Sequence, residues 1–278
     1  MKMQRMATGL IMIAVMIVLW CVLGPALRIA LLLFNCICVW EMYNALSTKG
    51  MRPARWVGVL YAVLTLPVYL LGGMVMITPL TTLFCMLGLA VIMFRGEPDF
   101  EAAVGTLFPI FYPGLMFTMI YPLQDLSNPV ISYIAVGLAI LIPSASDTFA
   151  YFVGSKWGRH KLTPKLSPKK TVEGAVAGWF GAMCMSFIVP AIFMLICLWY
   201  EPWKEFAATI PPLWSFLPMG FIAGIASMFG DLAASMVKRY CGVKDYGNIL
   251  PGHGGLMDRV DSVLFNSIVL YIFFLMVR

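Results

Sequence analysis

Nine apolar runs, each about as long as a bilayer core is thick, fill most of this chain: 7–23, 26–46, 56–72, 74–94, 103–121, 130–153, 174–198, 213–235 and 260–277. A helix needs roughly 20 apolar residues, within a range of about 17–25, to cross the hydrocarbon. Lipid offers no partner to an unpaired backbone N–H or C=O, which leaves helices or a closed barrel. The runs are continuous rather than alternating, so they read as helices and not as barrel strands. Short breaks such as Gly24-Pro25 and Gly72-Gly73 make neighbouring helices antiparallel hairpins. The first run follows Lys2 and Arg5 but lacks a small-residue cleavage pattern, so it reads as a membrane helix rather than a leader. The predicted fold class is therefore all-α, a polytopic membrane protein of about nine transmembrane helices. Only 12% of the 278 residues are charged and 61% are hydrophobic, where a soluble domain carries about 25% charged residues. That excludes a cytosolic globular enzyme, and it excludes disorder as well.

The basic residues orient the helices. With the N-terminus in the cytoplasm and nine alternating spans, sixteen Lys or Arg fall inside, and only Arg28, Lys204 and Arg278 fall outside. An eight- or ten-span arrangement breaks this pattern. The C-terminus is then outside, and the net charge of +6 is explained by topology rather than by nucleic acid. The seven cysteines form no CxxC and mostly sit in apolar runs, as small buried thiols do. No internal repeat, low-complexity tract or soluble domain interrupts the pattern. The whole of 1–278 reads as one integral membrane domain, with 1–125 a helical scaffold and 126–278 carrying the polar motifs.

Thirteen acidic residues are few enough to place singly. Glu41, Glu97, Asp99, Glu101, Asp125, Glu201 and Glu205 read as solvated or interfacial. The other six, Asp147, Glu173, Asp231, Asp245, Asp258 and Asp261, gather at the cytoplasmic ends of spans six to nine. Asp147 lies about two turns inside span six, with Tyr151 on the same face. An intramembrane carboxylate is costly unless it faces protein, water or a cation, so it is a functional candidate by default, with an interhelical structural role as the competing reading. The loop SPKKTVEG, 167–174, places Lys169, Lys170 and Thr171 just before a helix whose first turn holds Glu173; Pro168 should break regular structure there. A helix N-terminus beside lysines suits an anion, although a plain positive-inside loop would look the same. His160 sits in this basic stretch without an assigned role.

The segment 230–262, GDLAASMVKRYCGVKDYGNILPGHGGLMDRVDS, carries most of the chemistry. If span eight stays helical past the membrane, Asp231, Ser235, Lys238 and Arg239 share a face, as do Asp258 and Asp261 at the start of span nine. Between them, PGHGG sets one His among three glycines, a loop whose backbone could approach a ligand closely. Carboxylates to hold Mg²⁺, cations to neutralise phosphate oxygens and backbone N–H groups to cradle them are what phosphoryl chemistry requires. A re-entrant structural loop held by internal salt bridges is the alternative.

This stretch resembles the signature of the phosphatidate cytidylyltransferases, also called CDP-diacylglycerol synthases. The pattern runs through Ser235, Lys238-Arg239 and Lys244-Asp245, then Pro251, His253, Gly254, Gly255, Asp258, Arg259 and Asp261, with no departure. The elements Asp147 to Gly154 and SPKKTVEG are also similar to that family; the first hundred residues match only in hydrophobicity. The resemblance implies a transferase that joins CTP and phosphatidic acid into CDP-diacylglycerol and pyrophosphate, in phospholipid biosynthesis. It implies Mg²⁺, with room for a second cation, a site facing the cytoplasm from the inner (plasma) membrane, and a homodimer in the bilayer. On that basis Asp231 and Asp258 are the expected metal ligands, with Asp261 close by. Lys238, Arg239, Lys244 and Arg259 are expected to meet phosphates, and His253 to orient or contact one. Asp147, Lys169, Lys170, Thr171, Glu173, Ser235, Asp245, Gly254 and Gly255 would complete the substrate cavity. The competing functions are a CTP-dependent lipid-alcohol kinase, which needs the same contacts, and a transporter of an anionic substrate. A transporter should line a path through both halves, whereas the polar residues here gather at one side of one half. A CDP-alcohol phosphotransferase is excluded by the lack of its Asp-Gly-x-x-Ala-Arg start.

Overall fold

The computed structural model describes residues 14, 17–18, 20–96, 98–250 and 254–277. Among them, seven helices are long and apolar enough to cross a membrane: α1 Pro25–Thr48, α2 Arg55–Met93, α3 Phe100–Gln124, α4 Pro129–Trp157, α5 Val172–Trp199, α6 Leu213–Cys241 and α7 Met257–Met276. The expected run 7–23 lies mostly outside the described residues. The fold is all-α as expected, with one small addition, a two-stranded antiparallel hairpin formed by β1 Lys161–Thr163 and β2 Ser167–Thr171. Pro168 does not break regular structure; it lies within β2, and a two-stranded ribbon tolerates it because each strand has an edge where no N–H is needed.

The 39 residues of α2 would measure about 58 Å if straight, roughly twice the hydrocarbon thickness. They are not straight. Gly72 and Gly73 leave helical geometry, and Gly73 takes φ 65°, ψ −158°, which a residue with a Cβ rarely adopts. The Tyr61 and Thr81 hydroxyls hydrogen-bond at 2.9 Å, and the Tyr61 and Phe84 rings lie 5.8 Å apart. In a straight helix residues 61 and 81 would be about 30 Å apart. The two arms therefore run back along each other, with Gly72-Gly73 as the turn, which matches the separate expected runs 56–72 and 74–94.

The chain forms two compact units, Met1–Pro122 with Met236–Val260, and Leu123–Ser235 with Asp261–Arg278. In the first, buried polar contacts tie the helices, since lipid removes most of the hydrophobic drive between them. Asn35 Nδ2 donates to the Gly114 carbonyl at 3.2 Å, the Tyr43 hydroxyl donates to the Thr106 carbonyl at 2.8 Å, and Thr106 Oγ1 accepts from the Ala54 N–H at 2.8 Å. Thr48 Oγ1 donates to the Cys241 carbonyl at 3.0 Å, which fixes the end of α6 to the end of α1. The stretch 236–260, which holds much of the signature, thus packs with the N-terminal helices.

In the second unit α4 and α5 pack through small residues. A Cβ on Gly178 would sit 3.0 Å from the Ser146 carbonyl oxygen, and one on Gly174 would sit 3.2 Å from the Gly154 Cα. Two helices approach this closely only where side chains are absent. Asn266 on α7 donates to the carbonyls of Leu138 and Ala139 on α4, both at 3.1 Å. We expect Gly178→Val to destabilise the protein by about 1–3 kcal/mol through overpacking, read as a lower thermal midpoint in detergent. An unchanged midpoint would show that this contact is slack.

Candidate active site

The second unit holds a cluster on the hairpin, the start of α5 and the stretches of α6 and α7 around Asp231 and Asp261. Thr171 closes β2 and caps α5, its hydroxyl accepting from the Gly174 N–H at 3.2 Å. That cap fixes the entry angle of the hairpin, and Lys170, one residue earlier, forms an ion pair with Asp231 on α6. Both are partly open to solvent, with side chains 23% and 30% exposed. Glu173 lies in the first turn of α5. It accepts from the N–H of Arg159 at 3.1 Å and of His160 at 3.2 Å, and meets His160 Nδ1 at 2.6 Å. His160, which carried no expectation, thus holds the loop before β1 to the start of α5 through Glu173.

Asp231 follows Gly230, where a Cβ would meet the Asp261 carbonyl oxygen at 2.5 Å and the Ser262 Cα at 3.0 Å. The missing side chain lets α6 and α7 cross backbone to backbone, so Asp231 and Asp261 belong to the same crossing. Asp261 is buried, and its Oδ1 accepts from the Ser262 N–H at 2.7 Å. Asp147 lies ten residues before the end of α4; its side chain is exposed on the helix.

The first unit holds a cluster at the end of α6, the described residues 242–250 and 254–256, and the start of α7. The helix does continue to Cys241, so Lys238 extends from it. Lys238 Nζ meets Asp258 Oδ1 at 2.6 Å and lies over the Tyr246 ring at 5.5 Å. Asp258 Oδ2 accepts from the N–H of Tyr246 at 2.9 Å and of Gly255 at 3.0 Å. The Leu250 N–H donates to the Gly254 carbonyl at 3.0 Å and closes the base of the glycine loop. Gly254 takes φ +83°, and a Cβ there would sit 2.9 Å from Asp258 Oδ2, so the glycine is needed for both conformation and space. Pro251, Gly252 and His253 lie outside the described residues, and with them the role expected of His253. Lys169, Arg239, Lys244, Asp245 and Arg259 are exposed, while Ser235 is half-buried.

One member of this arrangement was misread from the sequence. Glu41, taken as an interfacial residue, is only 2% exposed. It accepts from the N–H groups of Leu256 at 3.1 Å and Met257 at 2.8 Å, at the start of α7. The available signal was a lone acid at the end of an apolar run, which deserved the same default as Asp147.

The donor set bears on Mg²⁺. Among the described residues no three His, Cys, Asp or Glu groups gather as a cation cage. Mg²⁺ ordinarily needs no such cage, taking one or two carboxylates and filling its shell with water and substrate phosphates. Asp231 fits that description, being partly open and next to the Asp261 crossing. Asp258 is more enclosed: its side chain is 5% exposed and meets Lys238 and two amides, while Asp231 is likewise paired with a lysine, Lys170.

The fold defines an integral, helical membrane protein whose charged side chains are organised as lysine–carboxylate pairs around glycine-rich backbone. The chain belongs to the cytidylyltransferase family, whose model matches residues 3–277. It is 31% identical over 251 residues to phosphatidate cytidylyltransferase 4, chloroplastic, of Arabidopsis thaliana, covering 81% of this chain and 60% of that protein. It is 38% identical over 128 residues to the phosphatidate cytidylyltransferase of Thermotoga maritima, covering 46% of this chain and 44% of that one. The enzyme of the same name from Staphylococcus saprophyticus is 37% identical over 174 residues, 63% of this chain and 60% of its own length. The chain thus spans less than two thirds of the length of these relatives.

Proposed function

We propose that the chain transfers the cytidylyl group of CTP to phosphatidate, giving CDP-diacylglycerol and pyrophosphate. The observation that carries this reading is the pairing of two lysines with carboxylates: Lys238, which the family resemblance assigns to phosphate binding, meets Asp258 of the signature, and Lys170, assigned to the substrate cavity, meets Asp231. A phosphate oxygen of the lipid attacks the α-phosphorus of CTP. The bond from that phosphorus to the α–β bridging oxygen breaks, and pyrophosphate leaves with the electron pair. The nucleophile is already anionic and needs no strong base. The barrier lies in bringing two polyanions together, which positioned cations lower.

In this reading Lys170 and Lys238 neutralise phosphate oxygens, and the carboxylates fix where each ammonium points. Exposed Lys169, Arg239, Lys244 and Arg259 add attraction for CTP and for the lipid headgroup. Asp231, with Asp261 at the same helix crossing, would hold Mg²⁺, which would supply charge neutralisation on the triphosphate. Asp258 keeps Lys238 and the glycine loop in place. Asp147 and Ser235 are assigned to substrate contact. The test is product analysis with the full chain in detergent: cytosine appears in the lipid phase when phosphatidate, CTP and Mg²⁺ are all present, and omission of phosphatidate abolishes it. Its absence in the complete mixture would overturn the reading.

The proposal includes nine spans with the N-terminus and the site in the cytoplasm, in the inner membrane, and a homodimer of 30.8 kDa chains. The sixteen-to-three split of Lys and Arg supports the orientation. A Cys at position 165 should react with impermeant reagents only from the cytoplasmic side, and one beside Asn128 only from outside. The reverse pattern would sink this topology, and light scattering at the mass of one chain would sink the dimer.

A further inference from the structure

Glu41 stands on α1, which carries no part of the signature, and it lies 215 residues before Leu256 in sequence. Its carboxylate accepts from the first two amides at the start of α7, where the helix dipole favours negative charge. Two glycines make room for it. A Cβ on Gly255 would fall 2.6 Å from either carboxylate oxygen, and one on Gly247 would overlap Oε1. Asp258 grips the same segment through the amides of Tyr246 and Gly255. Two carboxylates therefore hold four backbone amides, those of Tyr246, Gly255, Leu256 and Met257.

We propose that Glu41 is a positioning residue for cytidylyl transfer: it fixes Gly255 to Met257 at the start of α7 and, through them, the Lys238–Asp258 pair, without touching substrate. The inference rests on the activity proposed above. A buried carboxylate is expensive unless hydrogen-bonded, and an apolar side chain would suffice for packing α1. The cost is offset only by an acceptor that serves two converging N–H groups. Gln keeps the volume but offers one acceptor oxygen and turns an NH₂ toward the second amide. Gly247→Ala reaches the same carboxylate from its other side. The atom its methyl would meet is the flexible tip of Glu41, so the side chain yields and lets go of the loop while the backbone stays.

The test uses the full chain in detergent, with Glu41→Gln and Gly247→Ala. Amide hydrogen exchange is measured across 244–262, and initial rates of cytidylyl transfer are measured against CTP concentration. In both variants exchange at Leu256 and Met257 should rise at least tenfold while α4 and α5 stay as in the wild type. The kcat should fall at least tenfold, with KM for CTP changing less than threefold, because neither variant removes a substrate-contacting group and only the positioning of Lys238 is loosened. Glu41→Asp, one methylene short, should not restore the rate. Unchanged exchange in both variants overturns the proposal, and so does faster exchange with wild-type kcat. If the wild type itself transfers no cytidylyl group, the proposed function fails; the exchange measurement then still decides whether Glu41 holds the loop.

Discussion

Asp231→Asn lowers turnover by about 10²-fold or more, equivalent to about 2.7 kcal/mol in the barrier, and leaves stability nearly untouched. The two effects separate because of where Asp231 sits. Its ion pair with Lys170 is partly solvent-exposed on both sides, and such pairs contribute about 0–1 kcal/mol to folding. Asn keeps the shape and one acceptor for Lys170. What it loses is the negative charge that the proposed Mg²⁺ site requires, at a crossing where Gly230 brings the α7 backbone against α6. Excess Mg²⁺ should restore part of the loss. The measurement is turnover against Mg²⁺ concentration for the variant and the wild type. Curves that agree in plateau and midpoint would remove Asp231 from the metal site.

Asp258→Ala should behave differently, costing both activity and stability. The carboxylate is largely buried, and its partner Lys238 is mostly so. Removing one member of a buried pair leaves an uncompensated charge, which costs about 3 kcal/mol or more. Here the amides of Tyr246 and Gly255 also lose their acceptor. The thermal midpoint should therefore fall clearly below that of Asp231→Asn, and Asp258→Asn should lie between, since its amide oxygen still accepts. A wild-type midpoint for Asp258→Ala would show that the loop is held by other contacts. Turnover should fall with it, because Lys238 is no longer aimed. The contrast between the two aspartates distinguishes a ligand-binding carboxylate from an anchoring one.

Much of the architecture was legible because membrane helices are specified locally. A run of apolar residues has to be helical in lipid whatever it packs against, and Gly72-Gly73 announces its own turn. The continuation of α6 as far as Lys238 could also be read, from the spacing of Asp231, Ser235 and Lys238. Tertiary detail was not legible in the same way. Glu41 looks like any acid at a helix end until Leu256 and Met257 are brought to it, and nothing in the neighbourhood of either segment encodes that meeting. The pairing of His160 with Glu173 depends on a short hairpin whose second strand contains a proline, against the usual reading of Pro168 as a breaker. The spacing of Asp258 and Asp261 placed them on one helix face. It did not show that Asp258 spends its oxygens on Lys238 and two amides, or that Gly230 puts Asp261 at the crossing beside Asp231. Sequence pattern therefore located the chemistry, and only the backbone path could show which groups meet which.

The most direct measurement of the central claim is a paired labelling experiment with the full chain, phosphatidate and Mg²⁺ in detergent. One reaction receives CTP labelled in the α-phosphate, the other CTP labelled in the γ-phosphate. Cytidylyl transfer carries the α label into the lipid phase and releases the γ label as pyrophosphate in the aqueous phase. The opposite partition, with γ label in the lipid and α label left in water-soluble CDP, would establish a lipid kinase and contradict the account.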